Sequence, residues 1–129
     1  MEYSLLVMDH FLNPRNVGDV EGADGVGMAR NLQDGDTVRL SIRVVDDRIE
    51  EAKFKAQGCV AAIAASSMLT ELIEGRSLDE ALAITKEDLV QSLGGLPERK
   101  ARCSLTGPEA LREAIEDYRR QSGVALVRR

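Results

Sequence analysis

The feature that most constrains this chain is a pair of alternating segments joined by three polar residues. Over Thr37 to Val45, Val38, Leu40, Ile42 and Val44 face one way, and Thr37, Arg39, Ser41 and Arg43 the other. Ile49 to Ala56 repeats the pattern, with Ala52, Phe54 and Ala56 set against Glu51, Lys53 and Lys55. A period of two puts alternate side chains on opposite faces of a strand. With only Asp46-Asp47-Arg48 between them, the two strands are expected to form an antiparallel hairpin. If the turn centres near Asp47, the start of the first strand lies beside the end of the second. Asp34 and Asp36 then fall next to Gly58 and Cys59. A slip of one or two residues would blur that juxtaposition without abolishing it.

Beyond the hairpin, Gly58-Cys59 opens a helix rich in small residues that runs to about Glu74 and stops at Gly75. A thiol at a strand–helix junction sits where unpaired N–H groups and the helix dipole favour its anion. Ser4 to Leu12 reads as a helix capped by Ser4, with Leu5, Met8 and Leu12 near one face, ended by Asn13-Pro14. Asn16 to Asp36 is irregular, with Val26 to Ala29 as a short edge strand. Ser77 with Glu80, Thr85 with Asp88 and Thr106 with Glu109 have the spacing of capping boxes. Leu96 to Lys100 reads as an extended basic linker. The last helix carries Leu111, Ala114, Ile115 and Tyr118 on one stripe. The expectation is one domain over 1–129, with an ordered core at about 3–120 and a loose tail at about 121–129.

Composition removes several function classes. A net charge of −5 argues against nucleic acid as a partner, and the Arg99, Lys100 and Arg102 cluster reads as solvated surface. The longest apolar run, Val60 to Ala65, is far short of the ~20 residues of a membrane span, so no membrane association is expected. No signal peptide or glycine-rich phosphate loop is visible, and a cytoplasmic location with reduced cysteines is expected. Cys59 and Cys103 are too distant for a C-x-x-C motif. His10 reads as a packing or surface histidine. The residues alone leave two readings open. The cysteines are either buried structural thiols, or Cys59 and the aspartate loop form a reactive or metal-binding site.

Several segments together resemble a known family. They are Asp9-His10-Phe11-Leu12-Asn13-Pro14-Arg15-Asn16-Val17-Gly18, Gly58-Cys59 with its helix through Ser66-Ser67, Gly75 to Ala81, and Arg102-Cys103-Ser104-Leu105. From about Tyr3 to Tyr118 the chain is similar to iron–sulfur cluster scaffolds of the IscU/NifU N-terminal type. The resemblance implies an α+β fold, a small antiparallel sheet of about three strands with helices packed on it. It implies a scaffold rather than an enzyme. Such a scaffold takes sulfur from a cysteine desulfurase and passes a cluster, most often 2Fe–2S, to apo iron–sulfur proteins.

The family site uses three cysteines and an aspartate. Cys59 and Cys103 match the second and third cysteines and Asp36 the aspartate, while Asp34 stands where the first cysteine is expected. The implied ligand set for an iron–sulfur cluster, or alternatively zinc, is therefore Asp34, Asp36, Cys59 and Cys103. Cys103, then Cys59, are the implied sulfur acceptors. Arg102 replaces the usual histidine, as in the zinc-binding SufU-like branch, but without that branch's insertion. Beside Cys103 it would favour the thiolate. Leu96-Pro97-Glu98-Arg99-Lys100 partly matches a segment read by an Hsp70-type chaperone, Lys100 included. Two other readings are a zinc-bound or cluster-free relative that modulates a desulfurase, and a structural paralogue with inert cysteines.

Overall fold

The hairpin forms as its alternation requires. In the computed structural model, which describes residues 3–122, β2 (Asp36–Val45) and β3 (Arg48–Gln57) pair antiparallel from Thr37 opposite Gln57 to Val45 opposite Arg48. Asp46 and Asp47 take φ of 52° and 62°, the twist a two-residue turn needs to match its strands. β1 (Gly25–Asn31) pairs with the other side of β2, from Gly25 opposite Ile42 to Asn31 opposite Asp36. The order β1-β2-β3 is the expected three-stranded sheet.

β1 is longer than the edge strand read from Val26 to Ala29. Its glycines look like loop residues in the sequence but serve packing. A Cβ on Gly25 would stand 2.2 Å from the Ala114 carbonyl oxygen, and one on Gly27 2.1 Å from that of Ala110. Both carbonyls belong to α5 (Thr106–Gln121), which lies directly on this strand. The core joins Val38, Leu40, Ile42, Ile49 and Ala52 of the sheet to Leu69 and Ile73 of α2 (Val60–Ile73). Ala110, Leu111, Ala114 and Ile115 of α5 complete it.

The first helix, α1 (Leu5–Leu12), is capped by Ser4, which accepts from the Val7 amide at 3.0 Å. Its buried face differs from the expected one. Leu5 and Leu12 are 79% and 66% exposed, while Val7 and His10 are buried. The reason lies on α2, whose polar side chains receive this segment. His10 Nδ1 is 2.7 Å from Ser67 Oγ, the Arg15 amide donates to the same hydroxyl, and Asn16 donates to Thr70 Oγ1. His10 is thus a packing histidine. Residues 16–18 then cover the free edge of β3, with Phe54 N–H donating to Asn16 O and Gly18 N–H to Phe54 O.

The capping boxes of α3 (Leu78–Leu82) and α4 (Lys86–Ser92) form as expected. The third does not. Glu98–Leu105 is a 3-10 helix that runs straight into α5, so Thr106 already has helical backbone and no free helix start remains to be capped. Of the extended linker expected over Leu96 to Lys100, Leu96 and Pro97 stay outside the helix, while Glu98 to Lys100 form its first turn. Leu96 packs beside Cys103 and the first turn of α2. α5 ends at Gln121 with Ser122 as its cap, and the remainder of the expected tail, 123–129, lies outside the described residues. Among the described residues no helix is long and apolar enough to cross a membrane.

Gly27→Ala should test the seating of α5 on β1. Its methyl group has no room, and overpacking of this kind costs about 1–3 kcal/mol. A lower urea midpoint with an unchanged slope is expected. An unchanged midpoint would mean that α5 does not approach the strand this closely.

Candidate metal centre

Three donor groups from three elements meet at one end of the sheet. Asp36 opens β2, Cys59 is the N-cap residue of α2, and Cys103 lies in the 3-10 segment. Their ligand atoms all lie within 4.8 Å of one another. The hairpin register positions the first two, since Thr37 opposite Gln57 leaves Asp36 beside Gly58. The Cys59 amide donates to Asp36 Oδ1 at 3.0 Å, and the Cys59 thiol lies 3.9 Å from Oδ2. Gly58 is required here on two counts. Its φ is +153°, and a Cβ would stand 2.3 Å from Asp36 Oδ1.

Cys103 is held against Ala61 and Ala62, whose small side chains let the 3-10 segment approach α2. Asp36 and Cys103 are each 1% exposed, whereas Cys59 is half-buried. Burial, and then the neighbouring Cys59 and Asp36, push the Cys103 thiol well above the ordinary cysteine range. Arg102 does not offset this, because its guanidinium is paired with Asp34. Arg102 Nε donates to Asp34 Oδ2 at 2.7 Å and a terminal nitrogen to Oδ1 at 3.1 Å, a two-pronged pair.

Asp34 is also fixed by its own loop. Asn31 accepts from the Gln33 and Asp34 amides and donates to Asp34 Oδ2 at 2.7 Å. Arg102 first, and Asn31 second, hold the Asp34 carboxyl far below the usual carboxylate range. Of the sequence-predicted set, Asp36, Cys59 and Cys103 converge, while Asp34 is not among the three and is engaged by Arg102. Lys100 lies earlier in the 3-10 segment, its amide bonded to Pro97 O, and is not one of the three. Sequence reasoning missed Asn31 as the brace of the loop. An asparagine three residues before Asp34-Gly35 was the available signal, since such side chains bond to nearby amides. It also missed Arg102 as the partner of Asp34, for which no local signal exists.

Two thiols and one carboxylate suit a borderline or soft cation such as Fe(II) or Zn(II) better than Mg(II) or Ca(II). A cation entering here must displace thiol protons, Cys103's among them.

Residues 2–125 match the sequence profile of the NifU-like N terminal domain family. An iron–sulfur cluster assembly scaffold protein IscU of Archaeoglobus fulgidus is 52% identical over 121 residues, covering 94% of this chain and 79% of that protein. The IscU scaffold of Escherichia coli strain K12 is 46% identical over 123 residues, 92% of this chain and 95% of that protein. Among solved structures, one described as an iron–sulfur cluster assembly scaffold for the SUF system of Fervidobacterium islandicum AW-1 superposes with a TM-score of 0.74. It is 25% identical and covers 89% of this chain and 97% of its own.

Two measurements check this geometry. Brief alkylation of the metal-free protein, mapped by mass spectrometry, should label Cys59 well ahead of Cys103; equal labelling would contradict the burial of Cys103. Gly58→Ala should lower Zn(II) affinity about 10- to 100-fold, the range for groups that orient metal ligands, with the circular dichroism unchanged. Retained affinity would show that the Asp36–Cys59 contact does not organise the site.

Proposed function

The chain belongs to the NifU-like N-terminal domain family, and from that premise we propose that it is a scaffold on which an iron–sulfur cluster is assembled and then handed on. The observation that carries this reading is the convergence of Asp36, Cys59 and Cys103 from three separate elements. The cluster is cargo, and the chemistry asked of the protein is to hold iron and sulfide and let them go. Most clusters are held by four thiolates. Two thiolates with one carboxylate hold iron less firmly, which favours transfer to apo iron–sulfur proteins. The Cys59 amide fixes the Asp36 carboxylate beside the thiols, and the buried walls around Cys103 keep water from its sulfur.

A cysteine desulfurase is the proposed sulfur donor. The receiving thiolate attacks the outer sulfur of the donor's persulfide; a new S–S bond forms on the acceptor, the old one breaks, and the donor leaves as its thiolate. Cys59 is reachable for that attack in this conformation, whereas Cys103 becomes so when the 3-10 segment moves. A 2Fe–2S cluster is the proposed product once an external electron donor, such as a thiol or a ferredoxin-type protein, reduces each persulfide sulfur by two electrons to sulfide and regenerates the acceptor thiolate; the same donors would also take zinc. Reading of 96–100 in extended form by an Hsp70-type chaperone would require undoing the first 3-10 turn and uncovering Leu96.

Anaerobic reconstitution with iron, cysteine, a desulfurase and a thiol reductant tests the proposal. The visible and Mössbauer spectra of a 2Fe–2S cluster are expected, nearly abolished in Cys59→Ser and Cys103→Ser, with acid-labile sulfide matching iron. If zinc without sulfide is found instead, and the E. coli relative forms a cluster in parallel, the scaffold reading fails.

A further inference from the structure

We infer that the Asp34–Arg102 ion pair is a latch that holds a further ligand out of the metal centre, so that Arg102 decides whether the site offers three protein donors or four. This rests on reading Asp36, Cys59 and Cys103 as metal donors, and it assigns a role to the neighbouring pair.

Asp34 has the chemistry and the location of a ligand. It is an anionic oxygen donor two residues before Asp36, and it is paired with Arg102, the residue next to Cys103. Yet both of its oxygens are committed elsewhere. Oδ2 receives Arg102 Nε and Asn31 Nδ2, each at 2.7 Å, and Oδ1 receives the second prong of Arg102 at 3.1 Å. A cation held by Asp36, Cys59 and Cys103 must compete with three hydrogen bonds, two of them from a fixed positive charge, to recruit this carboxylate.

The two halves of the pair are not equivalent. The Asp34 side chain is 12% exposed and braced by Asn31, while that of Arg102 is 51% exposed. Arg102 is therefore the half that can be taken away. An open groove lined by Arg30, Leu32, Leu105 and Glu109 reaches its guanidinium from outside. With the latch closed, three protein donors leave a position for incoming sulfur; with it open, Asp34 fills that position.

A double-mutant cycle with Co(II) tests the latch. Metal-free wild type, Arg102→Gln, Asp34→Asn and the double variant are titrated with Co(II) against a chelator, after circular dichroism has confirmed that each is folded. The thiolate-to-cobalt absorption in the near ultraviolet reports the site. Arg102→Gln should tighten Co(II) about three- to fivefold, the upper part of what release of a partly exposed ion pair yields. With Asn at 34, the same change should alter affinity less than about twofold, the scatter of independent substitutions. A small added thiol should intensify the absorption in wild type, where a position is open, and not in Arg102→Gln, where Asp34 fills it. Equal tightening in both backgrounds would reduce the effect to simple charge and overturn the latch, as would no tightening at all. Failure of wild type to bind Co(II) through two thiolates would overturn the metal-centre reading itself, and the latch with it.

Discussion

One hydrogen bond, from the Cys59 amide to the Asp36 carboxylate, ties the start of the hairpin to the start of the central helix. Its formation depends on the hairpin register, because only a pairing that sets Thr37 against Gln57 brings Asp36 to Gly58. It also depends on the absence of a side chain at 58, where any Cβ would occupy the carboxylate's place. A shift of one residue would send Val38, Leu40 and Ile42 to the opposite face of the sheet and remove Asp36 from the site in the same step. Core burial thus enforces the register that the site requires.

The third donor arrives by a different route. Cys103 comes from the far end of the chain, on a 3-10 segment continuous with α5, and α5 is seated on two glycines of β1. Ala61 and Ala62 leave room for the thiol at the other side. Among the described residues, the N-terminal segment contributes no donor. Its His10, Arg15 and Asn16 bind polar side chains of α2, and its residues 16–18 close the β3 edge. The site is therefore a meeting point of three elements, each anchored elsewhere. That arrangement suits a scaffold, since small displacements of one element change the coordination without disturbing the core.

The two aspartates of one hairpin show how environment divides identical chemistry. Asp36 is buried with thiols for company and is placed to meet a cation. Asp34 already has a cation in Arg102. At positions 34 and 102, where the family resemblance implies a cysteine and a histidine, this chain carries two residues that pair with each other. That pairing leaves Asp36, Cys59 and Cys103 as the groups that converge.

Local rules carried much of this structure. Alternation of period two set the β2–β3 hairpin and thereby brought Asp36 to Cys59; the helical stripe of Leu111, Ala114 and Ile115 placed α5 on the sheet, and two capping boxes started α3 and α4. These features are legible because they depend on neighbours in the chain. The length of β1 was not, because Gly25 and Gly27 take their meaning from a helix nearly ninety residues later. Nor was the buried face of α1, which follows the hydroxyls of α2 rather than its own leucines. The 3-10 path to Cys103 and the engagement of Asp34 by Arg102 likewise arise only when distant segments meet. Sequence alone determined which donors this protein owns. Tertiary structure decided which of them are free, because a carboxylate's availability depends on what charge lies next to it in space.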